Sequence, residues 1–393
     1  MGMDYLLIGV DGGATKVSAW EVDYEKSNNT FSLGNAHASI SYRDIDGYIS
    51  NFTPVEINTQ LAERNHIIQP TDDEAQQSSV YSKACAKAIM EIVNQAGHKP
   101  VLIGLGMPGL KTDDKRGIAV VANGPRMINY SDELEHDLVQ AGIPLAAPVS
   151  HLGSDADYCG IGENYADEGL FRTSENAYYL GGGTGVADAM KIDGKLLAFD
   201  HAKAWIAKTW EMKSAEGLPL EQVTAVGGIQ KTYAGIAGTS VEELNDKGVY
   251  PLQIAELANR GDDFALQTYD IVNSNLARLI YDRLVTLNVG WQHLFEFVNP
   301  NKPQPENKHP YLGNLFDKIV IGQRLGDLFD SSSGSKVVKA PVLRQLNELI
   351  QHSKFLSPQV KDYYSNLSEI IKTSKLREAP ALGAGIDAYF SNN

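Results

Sequence analysis

Twice along this chain an apolar run enters a glycine-rich turn and leaves it as a second β-rich run. Near the start it reads YLLIGVDGGATKVSAWEVD (residues 5–23), and later ENAYYLGGGTGVADAMKIDGKLLAF (residues 175–199). Each copy predicts two adjacent antiparallel strands joined by a tight hairpin. Glycine in such a turn lets the backbone amides come close to whatever lies outside it.

The residues after the first copy alternate in period. A further β run covers Phe31–Ile40, and polar residues 41–70 read as loops or an edge hairpin. Thr71 or Asp72 can cap a helix to about Gly97, because Ala84, Ala88, Ile89, Ile92 and Val93 recur at helical spacing. VLIGLG (residues 101–106) reads as a short buried strand, MPGLKTDDKRG as a loop and GIAVVANGP as another strand and turn. Ser131 is placed to cap a helix, and residues 143–163 return strand then helix. Alternating β and α predicts an α/β domain with a mixed sheet.

After the second copy the sequence is mainly helical: about His201–Ser214, Glu221–Ala234, Pro251–Arg260 and Asp262–Leu287. One more strand-and-glycine signal, KIVIGQRLG, precedes a closing helix over ALGAGIDAYF, while residues 299–310 and SSSG (331–334) read as surface loops. Two halves of like pattern predict a duplicated fold with a cleft between the halves, in which a nucleotide would lie. The expected domains are 1–150 and 151–393, with the C-terminal helix packing back on the first domain as an option. A chain of 393 residues accommodates two or three domains of roughly 150 residues each.

Composition removes several classes of function. With 34 Lys and Arg against 49 Asp and Glu, the net charge of −15 repels a nucleic-acid backbone. The two cysteines, Cys85 and Cys159, form neither a disulfide framework nor a C-x-x-C zinc site. No apolar run approaches the roughly 18 residues of a membrane span, and no basic and apolar leader opens the sequence, so a cytoplasmic protein is expected. The sequons at Asn28, Asn51, Asn129 and Asn366 then read as chance matches.

The residues that can carry chemistry cluster at the turns. In Asp11-Gly12-Gly13-Ala14-Thr15-Lys16 the glycines admit a polyphosphate, Thr15 and Lys16 can donate to its oxygens, and Asp11 can hold a hydrated Mg²⁺. The same residues also suit an ordinary hairpin turn. Gly181-Gly182-Gly183-Thr184-Gly185 makes the same offer from the second half. Asp155 and Asp157 fall at the end of a strand and the opening turn of a helix, where carboxylates can cap. For Asp155 the other role is a general base that takes the proton of a hydroxyl attacking a γ-phosphoryl group.

The order of these motifs resembles the ROK sugar kinases, within the superfamily of sugar kinases, actin and heat-shock ATPases. DGGATK is similar to that family's first phosphate motif and also to the BadF and N-acetylglucosamine kinase type. GLGMPGLKT (104–112) resembles G-x-G-x-P-G-x-x-D, VANGPRMIN (121–129) the sugar-binding segment, and SDADYCGIGE (154–163) the segment holding the catalytic aspartate. LGGGTGVADAMKIDGKLL resembles the second phosphate motif, and SKLREAPALGAGIDAYF the adenosine-side helix.

The resemblance implies two ribonuclease-H-like domains of the actin-like ATPase type, with ATP and Mg²⁺ as cofactors and a small sugar as substrate, and a homodimer as an option. Asp155 would be the base and Pro108, Gly109 and Asn123 the sugar contacts. Asp11, Gly12, Gly13, Thr15, Lys16, Gly182, Gly183, Thr184, Gly185 and Gly322 would serve the nucleotide and its metal. Rival readings are a BadF-type ATPase, an N-acetylamino-sugar kinase and a non-catalytic sugar binder. A repressor is disfavoured, since only residues 1–10 precede Asp11 and a DNA-binding helix-turn-helix would need more.

The departures from the family pattern lie in the second half. HAKAWIAKTWEMKSAEGLPLEQV (201–223) carries neither Glu-x-Gly-His nor a cysteine zinc loop, so zinc is not expected, and Glu211 is the candidate replacement sugar contact. Its alternative is an exposed helical glutamate. Trp205 and Trp210 read as core anchors rather than stacking platforms. Gln323 and Arg324 stand where the family prefers glycine, and Asp188 near polyphosphate needs Mg²⁺ or distance. His151 and His201 read as structural.

Overall fold

The computed structural model describes residues 3–64, 66–183 and 185–392. Its contacts divide into two units: residues 3–169 with 378–392, and residues 170–377.

The first unit is a five-stranded mixed sheet. Strands β1 (Leu6–Gly12), β2 (Lys16–Glu25) and β3 (Thr30–Ser41) form an antiparallel meander. Helices α1 (Ile57–Glu63) and α2 (Asp72–Ala96) then lead to β4 (Val101–Gly106), which runs parallel to β1. The short pair β5 (Leu110–Lys111) and β6 (Ile118–Val120) follows, then helix α3 (Tyr130–Gln140) and strand β7 (Leu152–Gly153), parallel to β4. Helix α4 (Asp155–Tyr165) starts two residues later, and the sheet order is β3-β2-β1-β4-β7.

Local chemistry accounts for these elements. β1 and β4 are continuous apolar runs because both faces of the sheet are covered. α2 begins with a reciprocal cap: Thr71 Oγ1 accepts from the Glu74 N–H at 3.2 Å, and Glu74 Oε2 accepts from the Thr71 N–H at 3.0 Å. Its buried stripe, including Val80, Ala84, Ala88 and Ile92, packs on the sheet. The C-terminal helix Ala379–Asn392 lies on β1 and β4, backbone against backbone. A Cβ on Gly9 would fall 1.8 Å from the Ala381 carbonyl oxygen, and one on Gly104 1.7 Å from that of Ala384. Those two glycines are what allow the helix so near.

The second unit repeats the plan. Strands β8 (Ala177–Gly182), β9 (Val186–Ile192) and β10 (Lys195–Leu197) form the meander. The pair β11 (Met212–Lys213) and β12 (Glu296–Phe297) stands apart, and β13 (Lys318–Gly322) and β14 (Ile371–Thr373) complete the main sheet in parallel with β8. The order β10-β9-β8-β13-β14 matches that of the first sheet strand for strand in direction. The long helix Asp263–Val289 anchors its core through Leu276, Ile280 and Leu284.

Several expectations are corrected here. The division falls after Gly169 rather than after residue 150, because β7 completes the first sheet and α4 packs on the C-terminal helix. Ser131 is not a cap: α3 starts at Tyr130, with Ser131 buried inside its first turn. Of the expected helix 201–214 only residues 201 and 202 are helical, as the end of the short helix Phe199–Ala202. Trp205, Ile206 and Ala207 are all buried in succession, which no one-sided helical stripe allows. SSSG is not a loop either, for Ser332–Gly334 is a helical turn capped by the Ser331 hydroxyl.

Candidate active site

Register brings the first unit's chemistry to one edge of its sheet. Asp11 pairs with Gly106 across β1 and β4, and Gly106 pairs with Gly153 across β4 and β7. Asp11, the Pro108-Gly109 turn and Asp155 therefore all leave from the carboxyl ends of neighbouring parallel strands, the edge at which open α/β sheets bind ligands.

Asp155 is the first residue of α4, and its Oδ1 accepts from the Ala156 N–H at 3.0 Å. Asp11 is half-buried, and its pKa is raised to about 7. Burial contributes most, the charges of Asp155 and then Glu378 add to it, and Lys16 opposes them. The fold thus gathers Asp11, Asp155 and Lys16 within electrostatic reach.

The turn after β1 is closed by the Gly13 N–H, which donates to the Lys16 carbonyl at 2.9 Å, and Ala14, Thr15 and Lys16 are exposed. Tyr42 and Tyr81 donate their hydroxyls to the Gly13 and Ala14 carbonyls.

Asn123 is exposed on the loop after β6, between two braced residues. On one side the buried Gln60 amide accepts from the Val121 N–H at 2.8 Å and donates to the Val121 carbonyl at 3.1 Å. On the other, buried Arg126 pairs with Glu74 and with Glu63. Gly109, at φ +102°, turns the neighbouring loop so tightly that a Cβ would lie 2.5 Å from the Val120 carbonyl oxygen. The Pro108-Gly109 turn and the Asn123 loop are thereby brought together.

Gln60, Glu63, Glu74 and Arg126 escape a reading of the sequence. The Thr71-to-Glu74 spacing signals a helix cap, but nothing local shows that the same carboxylate reaches a residue 52 positions on.

In the second unit, Gly183 donates to the Gly185 carbonyl at 2.9 Å, and its own carbonyl accepts from Gly227 at 3.2 Å. Gly182 ends β8, while buried Gly322 pairs with Gly181 at the same edge. Thr184 lies outside the described residues.

Asp188 is buried below this turn. It accepts from the Tyr178 hydroxyl and lies 3.6 Å from the Arg283 guanidinium, a counter-charge for its carboxylate. Glu211 is neither helical nor exposed: Lys302 Nζ donates to its Oε1 at 2.6 Å and the Lys208 N–H to its Oε2 at 2.9 Å. Trp205 is core, stacked on His309, but Trp210 is 54% exposed, contrary to expectation. His151 bonds Asp387 at 2.8 Å.

Among the described residues no three His, Cys, Asp or Glu side chains converge as a metal cage. Asp11 nevertheless suits a magnesium ion that takes most of its ligands from phosphate and water, because a cation would offset both the burial and the charges of Asp155 and Glu378 that raise its pKa.

No family model matches this sequence, and no curated protein matches it. Solved structures do match, over nearly the full chain. A ROK family glucokinase from Streptomyces griseus, in complex with glucose and AMPPNP, superposes with a TM-score of 0.59 at 15% identity, covering 98% of this chain and 99% of that one. A ROK hexokinase from Thermus thermophilus gives 0.55 at 17%, covering 98% of each chain. A ROK family transcriptional regulator gives 0.53 at 13%, covering 99% of this chain and 79% of that one. At such identities the likeness shows the fold: that of the two-domain ROK sugar kinases, the actin-like ATPase fold.

Proposed function

We propose that this chain transfers the γ-phosphoryl group of ATP to a hydroxyl of a hexose or hexose derivative, with Asp155 as general base. The observation that carries the reading is the placing of Asp11 and Asp155 on one sheet edge, near enough that the charge of Asp155 adds to burial in raising the Asp11 pKa. The fold shared with a glucokinase bound to glucose and AMPPNP supports it.

A sugar hydroxyl is a poor nucleophile until its proton has somewhere to go. Asp155 would accept that proton as the oxygen attacks. Asn123 and the Pro108-Gly109 turn would hold the sugar, since their loops are braced by Gln60 and Arg126 and so present a fixed geometry. Gly12 and Gly13 would let the polyphosphate approach the turn while Thr15 and Lys16 donate to it, with Gly182, Gly183, Thr184 and Gly185 as a second such loop and Gly322 on the adenosine side. Asp11 would hold magnesium, which when bound neutralises charge on the phosphates.

A sugar binder without catalytic activity is the second reading. It is favoured by Glu211, whose two oxygens are already engaged by Lys302 and Lys208. An ADP-release assay over hexoses, amino sugars and their acetylated forms separates the two. Release with at least one sugar is expected, whereas sugar binding with no release from any of them would leave only the second reading.

A further inference from the structure

We propose that Tyr42 and Tyr81 are positioning residues for the nucleotide: they draw the carbonyls of the Asp11–Lys16 turn back into the first unit, so that the turn offers donors rather than acceptors to a polyphosphate. The inference rests on the phosphate-binding reading of that turn. Nothing in the sequence marks these two tyrosines.

The hydrogen bonds account for four successive carbonyls. Tyr42, next after β3, donates its hydroxyl to the Gly13 oxygen at 3.1 Å and its N–H to the Thr15 oxygen at 3.1 Å. Tyr81, on α2, donates to the Ala14 oxygen at 3.0 Å. The Lys16 oxygen accepts from Gly13 at 2.9 Å. A polyphosphate carries negative charge and acceptors only, so a carbonyl turned toward it would repel it, while a turn with its carbonyls held inward is an anion-binding concavity.

The two hydroxyls act as a pair. The rings stack with centroids 3.6 Å apart and planes 16° from parallel, and both side chains are buried. Burial pushes the Tyr42 phenol well above its ordinary value and that of Tyr81 up to about 12, so both remain O–H donors across the physiological range. Tyr81 also borders Gly124, where a Cβ would sit 3.4 Å from its hydroxyl, so one ring abuts both the phosphate turn and the loop of Asn123.

The experiment is calorimetric titration of Mg·AMPPNP into the wild type, Tyr42→Phe, Tyr81→Phe, the double variant and Tyr130→Phe. The last removes another buried hydroxyl of the same core, one that donates to the Tyr81 backbone and not to the turn. Each single variant should bind about 2- to 10-fold more weakly and the double variant more weakly still, as lost hydrogen bonds predict. Tyr130→Phe should shift the melting temperature without changing Mg·AMPPNP affinity, whereas in steady state the Tyr42 and Tyr81 variants should raise KM for ATP and leave KM for the sugar unchanged. A double variant that binds like the wild type overturns the assignment while leaving the phosphate reading intact. A wild type that does not bind Mg·AMPPNP overturns both. If the double variant does not fold, the single variants decide on the same criterion.

Discussion

Arg126 grips Glu74 through two hydrogen bonds of 2.7 Å, Nε to Oε1 and Nη2 to Oε2, with both side chains buried. This is the bidentate arrangement only arginine can make. Burial pushes the Glu74 carboxyl up, but the bonds from Arg126 and the Thr71 N–H outweigh it and hold the group below the usual carboxylate range.

Replacing Arg126 with Met should therefore lower stability by about 3–5 kcal/mol, because it leaves Glu74 buried and unpaired. Arg126→Lys should recover only part of this, since an ammonium cannot serve both oxygens. Thermal unfolding reports the loss, and KM for the sugar should rise in Arg126→Lys as the Asn123 loop loosens. An Arg126→Met protein as stable as the wild type would show that the pair contributes nothing net.

Asp155→Asn keeps size and most hydrogen bonding but removes the proton acceptor. Turnover should fall roughly 10²- to 10⁴-fold with little change in sugar or nucleotide affinity. Asp157→Asn should be far milder. Wild-type turnover in Asp155→Asn, measured with any sugar the protein phosphorylates, removes Asp155 as the base.

Asp11 makes stability depend on pH in a stated direction. Its folded pKa, about 7, lies above the ordinary value of 3.8, so the folded state binds more protons between these limits. Stability of the nucleotide-free protein should fall as pH rises from about 4 to about 7 and level off above, by on the order of 4 kcal/mol for this group. Asp11→Asn should flatten that slope while weakening Mg·AMPPNP binding. A slope unchanged in the variant would mean that other groups set it.

Arg283 is the counter-charge for both Asp188, at 3.6 Å, and Asp282, at 3.1 Å, in a fully buried cluster. Arg283→Met should destabilise the second unit by about 3–5 kcal/mol. Burial raises Asp282 to about 6, against opposition from Arg283, so Asp282→Asn should be the milder change, and milder still at pH 8, where the wild type has lost the stability that the raised pKa gives it at pH 5. Calorimetric unfolding of both variants at the two pH values checks the order; equal losses would contradict it.

What the residues alone determined is local in origin. The twin strand–turn–strand units, the cap at Thr71, the buried strand Val101–Gly106 and the placing of Asp11 and Asp155 at strand ends follow from periodicity and turn chemistry, which act over a few residues. Tertiary structure decided what depends on partners far along the chain. Glu211 looked free until Lys302, 91 residues away, closed on it, and Asp188 looked misplaced until Arg283 was seen beside it. The same holds for Gln60 on Val121 and for the two tyrosines on the turn after β1. A buried polar group must find a hydrogen-bonding or charged partner, yet which partner reaches it is set by how helices and sheet pack, and that information is spread over the whole sequence.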